Sequence, residues 1–158
     1  MKKFVALILA VIMSISLVAC GGSKGPTLET NSKNDKEKFD EIVLINNEYC
    51  ACTIIGVNPN GNVGYQIKVR CENKTEDVTL CFTTENGSMN DTMINAYLLT
   101  QVEPGKKGID YIVFHNYMME DRGLDPNNIS TLDFSLKVFD WNDWMDEPYA
   151  EGDFTLNF

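Results

Sequence analysis

The chain has 158 residues, of which 44% are hydrophobic and 23% charged, the composition of a globular protein that can bury a core. Its 23 acidic residues outnumber 13 basic ones, so the formal net charge is −10. A surface of that sign repels phosphate backbones and anionic lipid head groups, which argues against nucleic acid as a partner and against electrostatic adhesion to a membrane.

The first 19 residues have the layout of an export signal. Lys2 and Lys3 precede an apolar run over residues 4–19, in which Ser14 and Ser16 are the only polar side chains. That run is shorter than the roughly 20 residues that a membrane-spanning helix needs. A positive start followed by a short apolar core is typical of a secretory signal peptide, here residues 1–19.

The tetrad Leu17-Val18-Ala19-Cys20 resembles the lipobox of bacterial lipoproteins. The resemblance implies that the chain is cut after Ala19 and that the Cys20 thiol carries a diacylglyceryl group. The alternative is a soluble secreted protein whose cleavage site happens to carry a cysteine. Two acyl chains are enough for stable anchoring. We therefore expect a protein held on the extracytoplasmic face of the cell membrane, with the membrane as a partner through its N-terminal lipid.

Residues 20–38 are predicted to be the lipidated cysteine and a flexible linker. Leu28 is the only sizeable apolar side chain after Cys20 in this stretch, so it cannot bury enough surface to fold. Cleavage would also remove Lys2 and Lys3 and make the formal net charge −12. Residues 39–158 remain, and they are enough for one domain with a single core.

From residue 42 onwards the chain consists of short apolar or alternating runs separated by Asn, Gly, Pro and Asp. This pattern predicts an all-β, antiparallel β-sandwich of about 7–9 strands. The predicted strands are 42–45, 49–57, 63–71, 77–84, 93–101, 108–115, 131–139 and 153–158. Residues 73–76 join two of them at the distance of a hairpin, and a helical turn is expected near 118–123.

Several short motifs along these strands carry a second resemblance. They are Asn47-Glu48-Tyr49, Gly64-Tyr65, Glu72-Asn73-Lys74-Thr75, Asn86-Gly87, Pro104-Gly105-Lys106-Lys107, Leu132-Asp133-Phe134 and Val138-Phe139-Asp140-Trp141. Their order resembles the small immunoglobulin-like domains carried by many lipoproteins of Gram-positive bacteria. The resemblance covers about 42–158 and implies an immunoglobulin-like sandwich. It brings no catalytic residues with it.

The sequence contains no recognisable catalytic signature. His115 is its only histidine, and a nucleophilic triad needs such a base beside its nucleophile. Neither a nucleophile elbow, a phosphate loop nor a dinucleotide fingerprint occurs. A histidine at the end of a strand or in a turn is the favoured interpretation of His115, so we expect no enzymatic activity and no cofactor.

Four cysteines lie in the predicted domain: Cys50, Cys52, Cys71 and Cys81. In an exported protein they could form disulfides. A two-residue hairpin turn at Asn60-Gly61 places Cys50 opposite Cys71, which makes Cys50 and Cys71 the candidate disulfide.

Other interpretations of the cysteines stay open. A three-residue loop would put Cys50 opposite Arg70 and reverse the faces of the strand. Buried free thiols are the main alternative, whereas the spacing does not match that of structural zinc sites. Cys81 lies between Leu80 and Phe82, so we expect it to point away from their face.

The acidic and aromatic segment 140–147 is the most distinctive in the predicted domain. Its oxygen-bearing side chains suit calcium, and the candidate ligands are Asp140, Asn142, Asp143 and Asp146. The EF-hand pattern fails, because Trp144 stands at the third ligand position. The alternative is a surface loop with one tryptophan against the sandwich. Exposure of both Trp141 and Trp144 would favour a partner or carbohydrate surface.

These observations lead to a functional expectation. The protein is expected to be a membrane-anchored, non-catalytic binding or interaction module with an unknown protein or cell-envelope partner. Its recognition loops are expected at 58–62, 116–128 and 140–151, since sandwiches present loops at their ends. The alternative is a small-solute or calcium-binding lipoprotein that uses the 140–147 loop.

Overall fold

A computed structural model describes residues 39–158, and the predictions for the export signal, for Cys20 and for the linker lie outside them. The described residues form nine strands: β1 (Ile42–Asn46), β2 (Cys50–Gly61), β3 (Gly64–Asn73), β4 (Leu80–Met89), β5 (Thr92–Met93), β6 (Leu99–Val102), β7 (Lys107–His115), β8 (Thr131–Asp140) and β9 (Ala150–Asn157). A short helix α1 (Asn116–Asp121) and a 3-10 turn (Pro126–Asn128) connect β7 to β8. Neither of these is long and apolar enough to cross a membrane.

The strands form two antiparallel sheets. The first has the order β1-β2-β3-β7, and the second has the order β5-β4-β8-β9, with β6 pairing β4 beside β5. Buried apolar side chains from both sheets belong to one core. The predicted all-β sandwich is therefore confirmed.

The immunoglobulin-like identity is not confirmed by this strand order. Immunoglobulin constant domains place strands A, B, E and D in one sheet and C, F and G in the other. Here the first three strands, β1, β2 and β3, lie side by side in the same sheet. The immunoglobulin resemblance thus stays a prediction, while the sandwich architecture does not depend on it.

The β2–β3 hairpin follows the predicted alternation but not the predicted turn. Its loop is Asn62-Val63, with Gly61 opposite Gly64, whereas the sequence favoured Asn60-Gly61. A Cβ atom on Gly64 would collide with the carbonyl oxygen of Phe114, so only glycine fits there. The expected turn residues instead lie in an irregular part of β2, where the missing N–H of Pro59 is tolerated.

This displaced turn corrects the predicted cysteine pairing. Cys52, not Cys50, lies opposite Cys71, and Cys50 lies opposite Asn73. Register shifts between Asn58 and Gly61 and between Ile54 and Gly56 offset part of this displacement, so the partner of Cys50 differs from the predicted one by two residues. The alternation itself was predicted correctly, since Cys71 is buried on the same face as the apolar residues of β3.

Two predicted connections also differ from the structure. Residues 73–76 do not form a hairpin, because β3 and β4 belong to different sheets. The single strand expected at 93–101 is divided into β5 and β6. Between them Tyr97 pairs with Val113 of β7, its backbone N–H donating to the Val113 carbonyl at 3.0 Å. The chain therefore crosses to the second sheet where the sequence suggested a hairpin, and it contacts the first sheet at Tyr97 where the sequence suggested one continuous strand.

The side chain of Asn73 organises the first of these crossings. Its amide group donates to the carbonyl oxygens of Val78 and Val102, both at 2.7 Å. Its oxygen accepts from the backbone N–H of Thr75 at 2.9 Å and from the Thr75 hydroxyl at 2.7 Å. Asn73 is only 1% exposed, yet all its hydrogen-bonding capacity is used. It joins the end of β3 to the end of β6.

We expect Asn73→Ala to lower the free energy of unfolding by about 2–4 kcal/mol, because it leaves buried backbone groups without partners. Urea denaturation measures this change. Asn60→Ala is the matched control, since the Asn60 amide makes a single exposed hydrogen bond, to Asn127 at 3.1 Å. Similar losses in the two variants would contradict the central role of Asn73.

Candidate functional site

Residues 141–149 connect β8 to β9 and cover part of the outer face of the second sheet. Val138 is buried in the core, so Phe139, the next residue, points to the outer face. Trp144 packs on Phe139 there, with 4.7 Å between the ring centroids. The loop thus adds an aromatic surface to the outer face of this sheet.

Hydrogen bonds fasten this loop at both ends. The backbone N–H of Trp141 donates to the carbonyl of Thr79 at 2.9 Å, and that of Tyr149 donates to Val138 at 2.7 Å. From the β1–β2 turn, the side-chain amide of Asn47 donates to the Tyr149 carbonyl at 3.0 Å. The loop is therefore tied to both sheets.

Trp144 has a defined orientation although it is 52% exposed. Its indole N–H donates to the carbonyl of Trp141 at 2.8 Å, and its ring also contacts the Trp141 ring, with centroids 5.5 Å apart. Trp141 itself is half-buried. One of the two tryptophans is thus exposed and held by the other, which forms a preset aromatic platform.

Beside this platform lies a groove of about 300 Å3, which we call the Trp144 groove. It is lined by Thr83, Glu85, Lys137, Phe139, Trp144, Asp146, Pro148 and Glu151. Lys137 forms a salt bridge with Glu85 at 2.9 Å. The hydrogen bond to Glu85 is also the main reason why the pKa of Lys137 is raised.

The Trp144 groove keeps a negative charge after this pairing. Neither Asp146 nor Glu151 forms a salt bridge with another residue of the described domain. Because Glu85 neutralises the one lysine of the groove, these two carboxylates set its electrostatic character. The groove is therefore suited to neutral or positively charged groups and disfavours anions.

The polar face continues along β8 and β9 beyond the groove. The Ser135 hydroxyl donates to Asp153 at 2.6 Å. Asp133 accepts hydrogen bonds from the hydroxyls of Thr155 at 2.6 Å and Ser88 at 2.7 Å. The bond from Thr155, and then that from Ser88, lowers the pKa of Asp133, so this carboxylate stays ionised. The outer face of the second sheet is thus acidic over most of its length.

Two of the four candidate calcium ligands, Asp140 and Asp143, accept hydrogen bonds in local turns. An Asp140 side-chain oxygen accepts from the backbone N–H of Asn142 at 2.8 Å, and one of Asp143 accepts from Met145 at 3.2 Å. Asp146 faces the Trp144 groove. Within residues 39–158 no three His, Cys, Asp or Glu side chains form a group that could hold a metal ion.

His115 lies in an aromatic cluster at the other end of the sandwich. Its ring is 5.1 Å from that of Tyr97 and 5.6 Å from that of Tyr117, measured between centroids. Within the described domain its imidazole makes no hydrogen bond to a serine, threonine or cysteine. The arrangement that a histidine-activated nucleophile requires is not found around this residue.

The four thiols of the domain are free and buried. Cys50, Cys52 and Cys71 belong to the core, whereas Cys81 lies on the opposite face of β4 from Leu80 and Phe82, as predicted. Burial raises the pKa of Cys50 and of Cys81 to about 11. The pKa of Cys71 is also raised, first by a hydrogen bond with Cys52. Protonated, inaccessible thiols are poor nucleophiles.

The chain has no match among models of protein families, curated protein sequences or solved structures. The Trp144 groove is therefore interpreted from its own geometry and charge.

Sequence reasoning identified Trp144 and Asp146, and its predicted recognition loop 140–151 also contains Pro148 and Glu151. It missed the strand residues of the groove, which are Thr83, Glu85, Lys137 and Phe139. Alternation along 131–139 could have placed Lys137 and Phe139 on one face. It could not have placed them beside Glu85 and Glu151, because cross-strand partners depend on the register of β4, β8 and β9. The groove is a product of strand pairing, which leaves no local signal in the sequence.

We expect the protein to lose stability between about pH 9 and pH 11, since the folded state favours the protonated forms of Cys50 and Cys81. The stabilisation is complete below the pKa of the unfolded thiol and is lost as the pH rises through the raised value. The loss should be about 2–3 kcal/mol for each thiol, at 1.36 kcal/mol per unit of pKa. Urea unfolding at several pH values measures it.

Cys81→Ala supplies the control for this experiment. Removing one titrating thiol should make the decline with pH shallower, whatever the variant's stability at pH 7. An unchanged decline would show that the buried Cys81 thiol does not cause it.

Proposed function

We propose that this protein is a lipid-anchored, extracytoplasmic binding module without catalytic activity. The anchor is proposed from the sequence, where an export signal ends in Leu17-Val18-Ala19-Cys20. Cys20 would hold the protein at the membrane, residues 20–38 would link it to the domain, and residues 39–158 would present a binding face. Nothing in this arrangement requires a cofactor.

The observation that carries the binding proposal is the exposed but immobilised ring of Trp144. An aromatic side chain that is half exposed and held by Trp141 and Phe139 is not needed to close the core. Preset aromatic surfaces bind with a small loss of conformational entropy, and tryptophan is enriched among residues that dominate binding energy. The Trp144 groove is therefore the proposed recognition site.

The charge of the groove limits the ligand. Asp146 and Glu151 flank the aromatic platform without a salt-bridge partner, and Lys137 is occupied by Glu85. Carboxylates beside an aromatic ring suit an ammonium or guanidinium group, or the hydroxyl groups of a neutral sugar. Nucleic acids and anionic polymers are disfavoured.

The calcium or small-solute alternative uses the same loop but has less support. Asp140 and Asp143 each accept a backbone hydrogen bond within the loop, so part of their capacity as ligands is already used. A melting temperature that rises with calcium and does not respond to magnesium would support the calcium alternative.

Site-specific photo-cross-linking in cells tests the proposed site. Met145 is 94% exposed next to Trp144, so a photoreactive residue there lies within reach of a ligand in the groove. Tyr117, also exposed but near the β2–β3 turn at the opposite end, is the matched control position. We expect a discrete adduct from position 145 and not from position 117.

Two substitutions separate recognition from anchoring. Trp144→Ala should reduce the adduct at position 145 by about tenfold, the effect of losing roughly 1.4 kcal/mol of binding energy, and Trp144→Phe should lose less. Cys20→Ala should release the protein from the membrane fraction. Equal adducts from positions 145 and 117, or no effect of Trp144→Ala, would refute the groove as the site. A Cys20→Ala protein that stays in the membrane would refute the anchor.

A further inference from the structure

Cys52 and Cys71 face each other across β2 and β3 in the core of the sandwich. Both side chains are fully buried. We propose that Cys52 and Cys71 are the pair that oxidises to a disulfide in this protein. The inference concerns the core and is independent of the Trp144 groove, although it uses the proposed export to explain where oxidation occurs.

The backbone identifies the kind of pair that these cysteines form. The N–H of Lys74 donates to the Tyr49 carbonyl at 2.8 Å, so the backbone of Lys74 faces the β2 side. The N–H of Asn73 donates to Lys106 at 2.9 Å, so the backbone of Asn73 faces the β7 side. Because these directions alternate along a strand, the backbone of Cys71 also faces β7.

Cys52 and Cys71 are therefore a non-hydrogen-bonded pair of an antiparallel ladder. In such pairs the Cα atoms lie about 4.5 Å apart and the side chains approach each other more closely than at the other positions. Disulfides span Cα distances of roughly 4.4–6.8 Å. A bond between these sulfurs thus fits the existing register, with no shift of either strand.

The other two cysteines have no such partner. Cys50 shares a face with Cys52 but lies opposite Asn73. Cys81 is in the second sheet and does not belong to the core cluster. The register singles out Cys52 and Cys71 among the four thiols.

The oxidation occurs by thiol–disulfide exchange. The two thiols lose two protons and two electrons and form one sulfur–sulfur bond. A disulfide oxidant, either a thiol oxidoreductase or a low-molecular-weight disulfide, accepts them and becomes two thiols. Because both sulfurs are fully buried in the folded domain, the exchange takes place during folding, before the core closes. An exported chain folds where such oxidants are available.

Mass spectrometry of the full chain under denaturing, alkylating conditions tests the pairing. We expect protein purified after export to be lighter by two hydrogen atoms, about 2 Da, and to leave Cys52 and Cys71 unalkylated. Cys50→Ala and Cys81→Ala are the matched controls and should keep the bond, whereas Cys52→Ala and Cys71→Ala should lose it. Fragmentation of the unsubstituted protein identifies the linked cysteines even if a variant fails to fold.

A second preparation separates this inference from the proposed location. Protein made in a reducing cytosol, then unfolded and refolded with oxidised glutathione, should form the same bond and melt about 10 °C higher than protein refolded with dithiothreitol. If only this preparation contains the bond, the pairing stands and the proposed export fails. A bond that includes Cys50 or Cys81, or no bond in either preparation, would overturn the pairing.

Discussion

The buried side chain of Asn73 is the interaction on which the arrangement of this domain depends most. It ends β3 in the first sheet and holds the Val78 and Val102 carbonyls at 2.7 Å, so it fixes the chain where it enters the second sheet. The next carbonyl after Val78, that of Thr79, accepts the hydrogen bond from Trp141 that starts the β8–β9 loop. Val78, which is bonded to Asn73, and Thr79, which is bonded to Trp141, are consecutive residues. The position of the Trp144 loop is thus linked to that of Asn73.

This link explains how an exposed aromatic surface can be rigid on a protein of this size. Trp144 packs on Phe139 and Trp141. One end of its loop is bonded to Thr79, the residue after Val78, and the other end is bonded to Val138 of β8. A ligand that binds such a loop orders little of the protein, so most of its contact energy remains as affinity. The acidic residues beside it add selectivity by charge, because they oppose anionic ligands.

The sequence predicted the elements that depend on local alternation and missed those that depend on distant partners. The faces of β3, the ends of β7 and the position of α1 were readable to within a few residues. The β2–β3 turn lies two residues beyond the predicted one. Pro59 and Gly61 favour a turn by residue type, but they lie in an irregular part of β2. The role of Asn73 could not be predicted, since its two acceptors belong to separate elements. The strand residues of the Trp144 groove, among them Glu85 and Lys137, were missed for the same reason.

The reactive groups of the domain are distributed unequally between its core and its surface. Its thiols are buried, and Cys52 and Cys71 lie where a bond would reinforce the sheet. Its one histidine packs between tyrosines. What the molecule offers to its surroundings is therefore an aromatic ring among carboxylates. Such a surface has the shape and charge to select a ligand. The recognition function that we propose for it agrees with the positions of the thiols, of the histidine and of the exposed aromatic ring.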